Sequence, residues 1–246
     1  MAWLDQLADY ARSLMSERVV EALNVRGCSD EQIRDYGIGY LKRTLPPLDY
    51  DPEFLKQYGN GSVLDGVFVF PLTNTIGDIR GLQFRYVDRT KRFYNAGGYS
   101  DFILEAGEPV LFGLMQAMSH IWETQSVTLV EGSFDLFPVQ RHIPATVATL
   151  TARVVGPFLA TMRRTCKRVV LAYDNDATGQ RASANFHKEH GHEFQVDELP
   201  WAKKPMPNGK MSKDPGDLWE LWGDQQLGDF IREGVKPFTQ RRGPDG

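Results

Sequence analysis

Blocks of apolar and polar residues along the chain predict its secondary structure. Apolar residues recur at helical spacing over residues 3–25, which predicts one amphipathic helix that Gly27 could end. Ser29 and Gln32 have the spacing of a capping box, which predicts a second, short helix. Between residues 63 and 95, alternating runs separated by turn-forming residues predict antiparallel strands.

A regular alternation of strand and helix patterns follows in the second half of the chain. The predicted segments are 127–130, 133–141, 145–149, 154–165, 168–173, 179–190 and 193–199, with a last helix over 215–233. Short apolar runs alternating with helices are typical of a parallel sheet covered by helices on both faces.

These patterns predict an α/β protein with two parts. Residues 1–120 form an N-terminal α+β subdomain of helices and antiparallel strands, and residues 121–235 form an α/β domain with a mainly parallel sheet and following helices. We expect residues 236–246 to be a disordered tail.

The candidate chemistry begins with two carboxylates at the end of a predicted buried strand. Asp174 and Asp176 follow the apolar run 169–173 and precede the helix that starts near Gly179. Open α/β sheets bind their ligands outside the carboxyl ends of the strands. Paired carboxylates at this place could bind Mg²⁺ or Mn²⁺. The alternative interpretation is a solvent-exposed turn, because Asn and Asp are also common turn residues.

Two more acidic groups occupy comparable positions. Glu131 follows the apolar run 127–130, with Asp135 in the first turn of the next helix, and Asp214 and Asp217 open another helix around Pro215. Either group alone is consistent with acids that favour the positive end of a helix. Three such groups in order are more typical of a shared site than of surface decoration.

The motifs resemble those of a known family. Three acidic segments resemble the EGxxD, DxDxxG and DPxD/E series of the TOPRIM domain in bacterial-type (DnaG-like) DNA primases. They are Glu131-Gly-Ser-Phe-Asp135, Asp174-Asn-Asp176-Ala-Thr-Gly179 and Asp214-Pro-Gly-Asp217. The resemblance extends upstream through the RNA-polymerase core of these primases, in segments 26–40, 69–72, 77–85, 93–95 and 111–114. Ordered motifs therefore cover roughly residues 3–230.

The resemblance implies template-directed synthesis of short RNA primers on single-stranded DNA from NTPs, by nucleotidyl transfer that depends on Mg²⁺ or Mn²⁺. Glu131 is then the general base or a ligand of the first metal, and Asp135 supports the site. The other expected metal ligands are Asp174, Asp176, Asp214 and Asp217. Asp214 is the safer assignment in its motif, because the second carboxylate is displaced by one residue from the usual Asp-Pro-Asp.

The chain is acidic, with a formal net charge of −4, so a nucleic-acid site must be local. The densest basic strip spans residues 80–92, where strand periodicity places Arg85 on the face opposite Phe84 and Tyr86 and free to meet a phosphate. An ordinary hairpin with a solvated basic face has the same pattern. The resemblance implies that Arg85, Lys91 and Arg92 contact template or NTP.

Cysteine usage bears on metals and partners. Primases of this family carry a zinc ribbon with four Cys or His ligands, and two lone cysteines, Cys28 and Cys166, cannot supply it. A solvated helix end is a more typical setting than a zinc site for His187, His190 and His192. We expect no zinc in this chain, a separate zinc-module protein and a replicative helicase as partners, and a phage or mobile-element version of the enzyme.

No run of 18 apolar residues occurs, and the N-terminus lacks a signal-peptide pattern. We therefore expect a cytoplasmic protein without a membrane partner, in the bacterial host if phage-encoded.

Two other functions fit the acidic motifs: a TOPRIM-type metal-dependent nuclease and a non-catalytic single-stranded-DNA-binding replication subunit. The upstream primase-like motifs disfavour the nuclease, and the intact acidic motifs disfavour the non-catalytic subunit.

Overall fold

Two four-stranded sheets organise the molecule, one antiparallel and one parallel. The computed structural model describes residues 2–42, 45–58, 66–87, 94–96, 110–150, 154 and 156–235. The helices are α1 (Ala2–Ser13), α2 (Glu17–Asn24), α3 (Asp30–Asp35), α4 (Pro52–Tyr58), α5 (Leu114–Thr124), α6 (Ser133–Gln140), α7 (Gly156–Thr165), α8 (Ala177–His190) and α9 (Pro215–Gly234). The strands are β1 (Gly39–Leu41), β2 (Val67–Thr73), β3 (Ile79–Tyr86), β4 (Tyr94–Ala96), β5 (Ser126–Val130), β6 (Thr146–Ala148), β7 (Arg168–Leu171) and β8 (Gln195–Glu198).

The N-terminal helical pattern forms two helices rather than the one predicted over residues 3–25. The chain becomes extended at Ser16, which is the N-cap of α2. Leu4 and Leu7 of α1 pack with one core cluster, and Leu23 of α2 packs with another. The break lets two apolar stripes reach different cores. The predicted capping box at Ser29 is confirmed, because its hydroxyl accepts from the Gln32 backbone and the Gln32 side chain accepts from the Ser29 backbone.

The antiparallel sheet has the order β1-β2-β3-β4 and is covered on both faces. Alternate residues of β2 point to opposite sides. Val67 and Val69 pack with α1 and α4, whereas Phe68 and Phe70 pack with Phe134 of α6. The face opposite α1 therefore lies against the parallel part of the protein.

The parallel sheet has the order β6-β5-β7-β8. Helices α6 and α9 cover one face, and helices α5, α7 and α8 cover the other. The chain leaves β5 toward β6 but leaves β7 toward β8, so the connections diverge between the two central strands. Ligands in open α/β sheets bind at such a switch point, outside the carboxyl ends of the strands.

The predicted α/β class and the alternation of strands and helices are confirmed. The division into 1–120 and 121–235 stays a prediction; α5 runs across residue 120. The expected tail over 236–246 lies outside the described residues. Within the described ranges, no helix is both long enough and apolar enough to cross a membrane.

Candidate active site

The first two acidic motifs meet at the carboxyl edge of the parallel sheet. Strands β5 and β7 are parallel neighbours, so the residues that follow them emerge at the same edge. Glu131 follows β5 directly, and its Oε1 accepts a hydrogen bond from the backbone N–H of Asp174, at 3.2 Å. This bond ties the two strand ends together.

Gly179 permits this close approach. A Cβ built at Gly179 would lie 2.1 Å from the Asp174 carbonyl oxygen and 2.8 Å from Glu131 Oε1. Any larger residue would push the start of α8 away from both strand ends. The glycine of the DxDxxG motif therefore has a steric role in this chain.

Asp174 and Asp176 have different surroundings. Asp176 is the N-cap of α8, and its Oδ1 accepts from the backbone N–H groups of Thr178 at 2.8 Å and Gly179 at 3.1 Å. The bond from Gly179 makes the largest contribution to lowering the pKa of Asp176. The side chain of Asp174 is only 12% exposed, against 42% for Asp176. Asp174 therefore points into the site, whereas Asp176 lies at its rim.

Asp135 turns back toward the strand end from the first turn of α6. Its Oδ2 accepts from the backbone N–H of Gly132 at 2.9 Å. A Cβ on Gly132 would lie 2.3 Å from that oxygen, so a side chain at this position would displace the Asp135 carboxylate from its hydrogen bond. These contacts suit the predicted supporting role of Asp135.

The third motif joins the site through the start of α9. Asp214 is the N-cap of α9 and its Oδ1 accepts from the backbone of Asp217 at 2.7 Å, while Asp217 Oδ2 accepts from the backbone of Lys213 at 3.0 Å. The carbonyl of Lys213 also accepts from the backbone of Asn175, at 2.6 Å. The structure thus brings Asp214 to the strand end, and Asp217 forms part of the turn.

A lysine side chain stands among the carboxylates. Lys213 Nζ contacts the carboxylate of Asp174 and lies 3.7 Å from Asp176 Oδ2 and 3.9 Å from Asp214 Oδ2. No sequence pattern predicts a role for Lys213. Its place directly before the Asp-Pro motif was the only indication available from the sequence.

Burial, with a smaller contribution from neighbouring negative charges, raises the pKa values of four of these acids. Burial, followed by the charge of Asp174, raises the pKa of Glu131 to about 7. Burial also raises the pKa of Asp214 to about 6, against the effect of its hydrogen bond from Asp217. The pKa values of Asp174 and Asp135 are raised as well, first by burial. A site of this kind favours an added cation, because like charges confined together disfavour their ionised forms.

The donor set fits a hard divalent cation. Among the described residues, no three His, Cys, Asp or Glu side chains converge as a ready metal site, and an ammonium group lies between the acids instead. Carboxylate oxygens are the ligands that Mg²⁺ and Mn²⁺ prefer. Glu131, Asp174, Asp176 and Asp214 are the residues that could hold such an ion.

The histidines considered as an alternative zinc site pair with acids. His187 Nε2 lies 3.1 Å from Glu198 Oε1, and His190 Nδ1 lies 3.0 Å from Glu193 Oε1. These pairs belong to the far end of α8 and take no part in the carboxylate site.

Arg85 reaches the site from the antiparallel sheet. It lies on the face opposite Phe84, as predicted, but that face packs against Phe134 of α6 rather than being open to solvent. Its guanidinium carbon lies 5.5 Å from the Phe134 ring centroid. Burial lowers the pKa of Arg85, and the charges of three nearby carboxylates oppose this shift, namely those of Asp135, Asp214 and Asp174.

Arg26 is a second arginine over the Phe134 ring, and no sequence pattern predicts a separate role for it. Its guanidinium carbon lies 4.5 Å from the ring centroid, and it donates a hydrogen bond to the carbonyl of Val87 at 2.5 Å. Its place in the first primase-like motif was the available indication. The other predicted template contacts, Lys91 and Arg92, lie outside the described residues.

A lysine-bearing hairpin borders the carboxylates. Its base is fixed by buried Trp201, whose Nε1 donates to the Ala172 carbonyl at 3.0 Å. Pro205 and Met211 pair across it in an antiparallel bridge. The exposed cations on this segment are Lys203, Lys204 and Lys210.

Comparisons with known proteins agree with this geometry. A family model described as Toprim-like matches residues 128–215. The DNA primase of Deinococcus radiodurans is 27% identical over an alignment of 254 positions, gaps included, which covers 95% of this chain and 43% of that protein. The chain thus spans less than half the length of this curated relative.

Solved structures show the same fold. A DNA primase domain from Pseudomonas aeruginosa matches with a TM-score of 0.71 and 20% identity, over 96% of this chain and 79% of that one. The DnaG primase catalytic domain bound to ssDNA matches with a TM-score of 0.66 and 19% identity, over 94% and 77%. This chain therefore has the fold of a DnaG-like primase catalytic core, with a Toprim-like domain at its carboxylate site.

Proposed function

We propose that this chain is the catalytic core of a DNA primase, which joins ribonucleotides on a single-stranded DNA template. The observation that carries the proposal is the meeting of three acidic motifs at the switch point of the parallel sheet, directly beside Arg85 of the antiparallel sheet. Phosphoryl transfer depends mainly on positioning and on cation electrostatics, and this site offers both.

Glu131 is the residue best placed to accept a proton. Its raised pKa, about 7, lies near neutral pH, where a general base is most effective. We assign it the role of base for the attacking 3′-hydroxyl or of ligand to the first metal ion. Asp135 keeps the loop before α6 in place through the Gly132 backbone.

Asp174, Asp176 and Asp214 are the proposed ligands of Mg²⁺ or Mn²⁺. A bound divalent ion would supply positive charge to the triphosphate and polarise the reacting phosphorus. Asp217, also predicted as a ligand, caps the backbone of Lys213 and is proposed to position Asp214.

Template and nucleotide phosphates need positive partners. Arg85 is proposed to hold a phosphate close to the carboxylates, with Lys91 and Arg92 on the same strip of sequence. A structurally similar DnaG catalytic domain is bound to ssDNA, which supports a single-stranded template for this chain. We further propose NTPs as substrates, a zinc-module protein and a replicative helicase as partners, and the bacterial cytoplasm as the location.

A primer-synthesis assay tests the proposal. Labelled NTPs, single-stranded DNA and Mg²⁺ or Mn²⁺ are incubated with the chain, with and without a zinc-module protein from a related primase. We expect short RNA products that depend on template and metal, and none from Asp174→Asn. Degradation of the DNA without incorporation of NTPs would favour the nuclease alternative instead.

A further inference from the structure

The backbone of Lys213 is fixed at the carboxylate site while its side chain can move. Its carbonyl accepts from Asn175 and its N–H donates to Asp217, so the residue is held between the end of β7 and the start of α9. The side chain is 47% exposed. A lysine with a flexible four-carbon stem and access to water can leave its partners without moving the backbone.

The ammonium group occupies the centre of the acidic cluster. It contacts Asp174 and lies within 4 Å of carboxylate oxygens of Asp176 and Asp214. Those three carboxylates are the proposed metal ligands. One monovalent side chain thus stands where the ligands would place a divalent ion, and both cannot occupy that position.

We propose that Lys213 is a built-in counter-ion, which holds the carboxylates together in the metal-free protein and competes with the divalent ion for them. The inference rests on the proposed function in that it takes these acids as metal ligands. Metal binding then requires the lysine to swing toward solvent. Lys213 both stabilises the metal-free arrangement of the carboxylates and weakens their affinity for metal.

Mn²⁺ titration followed by electron paramagnetic resonance tests the competition, without nucleotide or DNA present. Lys213→Met keeps the apolar stem and removes the charge. We expect it to bind Mn²⁺ about tenfold more tightly than the wild type, the scale of losing three partly exposed ion pairs. Lys213→Gln, which keeps a hydrogen-bond donor, should also bind more tightly, and it serves where the Met variant does not fold.

Thermal melts separate a counter-ion from an ordinary structural lysine. In EDTA, Lys213→Met should melt below the wild type because the carboxylates repel one another. In saturating Mn²⁺ the difference should vanish, since the metal replaces the lost charge. A purely structural role would leave the difference in both conditions.

Lys188→Met is the matched control. This lysine lies in the last turn of α8, is exposed, and forms no ion pair with any described residue, so Mn²⁺ affinity and both melts should match the wild type. Unchanged or weaker Mn²⁺ binding by both Lys213 variants, a melting deficit that persists in Mn²⁺, or no Mn²⁺ binding by any variant would overturn the inference. None of these readouts needs primer synthesis, so a failed priming assay leaves them unaffected.

Discussion

Glu131 shows how one residue combines structure and chemistry at this site. Its carboxylate accepts a backbone hydrogen bond from Asp174 and also carries a pKa raised by burial and by neighbouring acids. The hydrogen bond favours the ionised form, whereas burial and the nearby charges oppose it. Because the opposing effects win, the group titrates near neutral pH, where a proton acceptor is useful.

We expect Glu131→Gln to lower turnover by about 10²-fold, the usual contribution of a positioned acid–base group. In the metal-free wild type the pKa of Glu131 is raised to about 7, and a bound divalent cation lowers the pKa of a neighbouring carboxylate, so at saturating metal we expect the rate to rise with pH and level off below that value. Steady-state incorporation measured across pH checks both points. Single-stranded DNA affinity is the control and should barely change; an equal loss of affinity and turnover would indicate a structural role.

A second prediction at the residue scale concerns Gly179. Gly179→Ala puts a methyl group against the Asp174 carbonyl, so we expect a loss of about 1–3 kcal/mol in the free energy of unfolding, together with lower activity. Gly156→Ala is the matched control, because its added Cβ meets no described atom within 4 Å. Urea unfolding of both variants provides the comparison. Equal stability of the two would show that α8 can shift away at no cost.

At the scale of elements, the acidic motifs are also the starts of helices. Helices α8 and α9 begin at the N-caps Asp176 and Asp214, and in α6 the N3 residue Asp135 bonds back to the N-cap backbone. Each acid satisfies backbone N–H groups that the helix leaves without partners, and it also faces the site. The alternative that acids merely favour helix starts is therefore partly correct, and it is compatible with a functional role.

Two substitutions at Asp176 distinguish its role as the N-cap of α8 from the role of its negative charge. Asn caps a helix about as well as Asp does, whereas Ala loses about 1 kcal/mol. We expect Asp176→Ala to melt roughly 2–4 °C below Asp176→Asn, as 1 kcal/mol implies for a chain of this size. Both should lose incorporation if the charge holds a metal ion. Wild-type activity in Asp176→Asn would exclude Asp176 as an essential ligand.

At the scale of the whole molecule, an aromatic cluster joins the two sheets. Phe68 and Phe70 of β2 pack against Phe134 at centroid distances of 6.0 and 5.4 Å, and Arg26 and Arg85 lie over the same ring. This packing places a cation from the antiparallel sheet beside the acids of the parallel sheet. The lysine hairpin lies on the side of the third motif.

We expect nucleic-acid binding to depend on that hairpin as well as on Arg85. Changing Lys203, Lys204 and Lys210 together to Ser should weaken single-stranded DNA binding and flatten its salt dependence. Each lost phosphate contact lowers the log–log slope by roughly 0.7. Fluorescence anisotropy at several salt concentrations measures this. Lys188→Ser, in the last turn of α8, is the control and should bind as the wild type does; an unchanged slope in the triple variant would place the template path elsewhere.

The sequence by itself determined the α/β class, the parallel alternation after residue 126 and the order of the acidic motifs. Local periodicity and turn chemistry encode these features directly, as the capping box at Ser29 illustrates. The sequence by itself did not determine that the N-terminal helical pattern breaks at Ser16 or that Phe134 packs against Arg85. Nor did it determine the position of Lys213 among the carboxylates. Those depend on which faces meet across the two sheets. Such contacts join residues far apart in the chain, and no local pattern reports them.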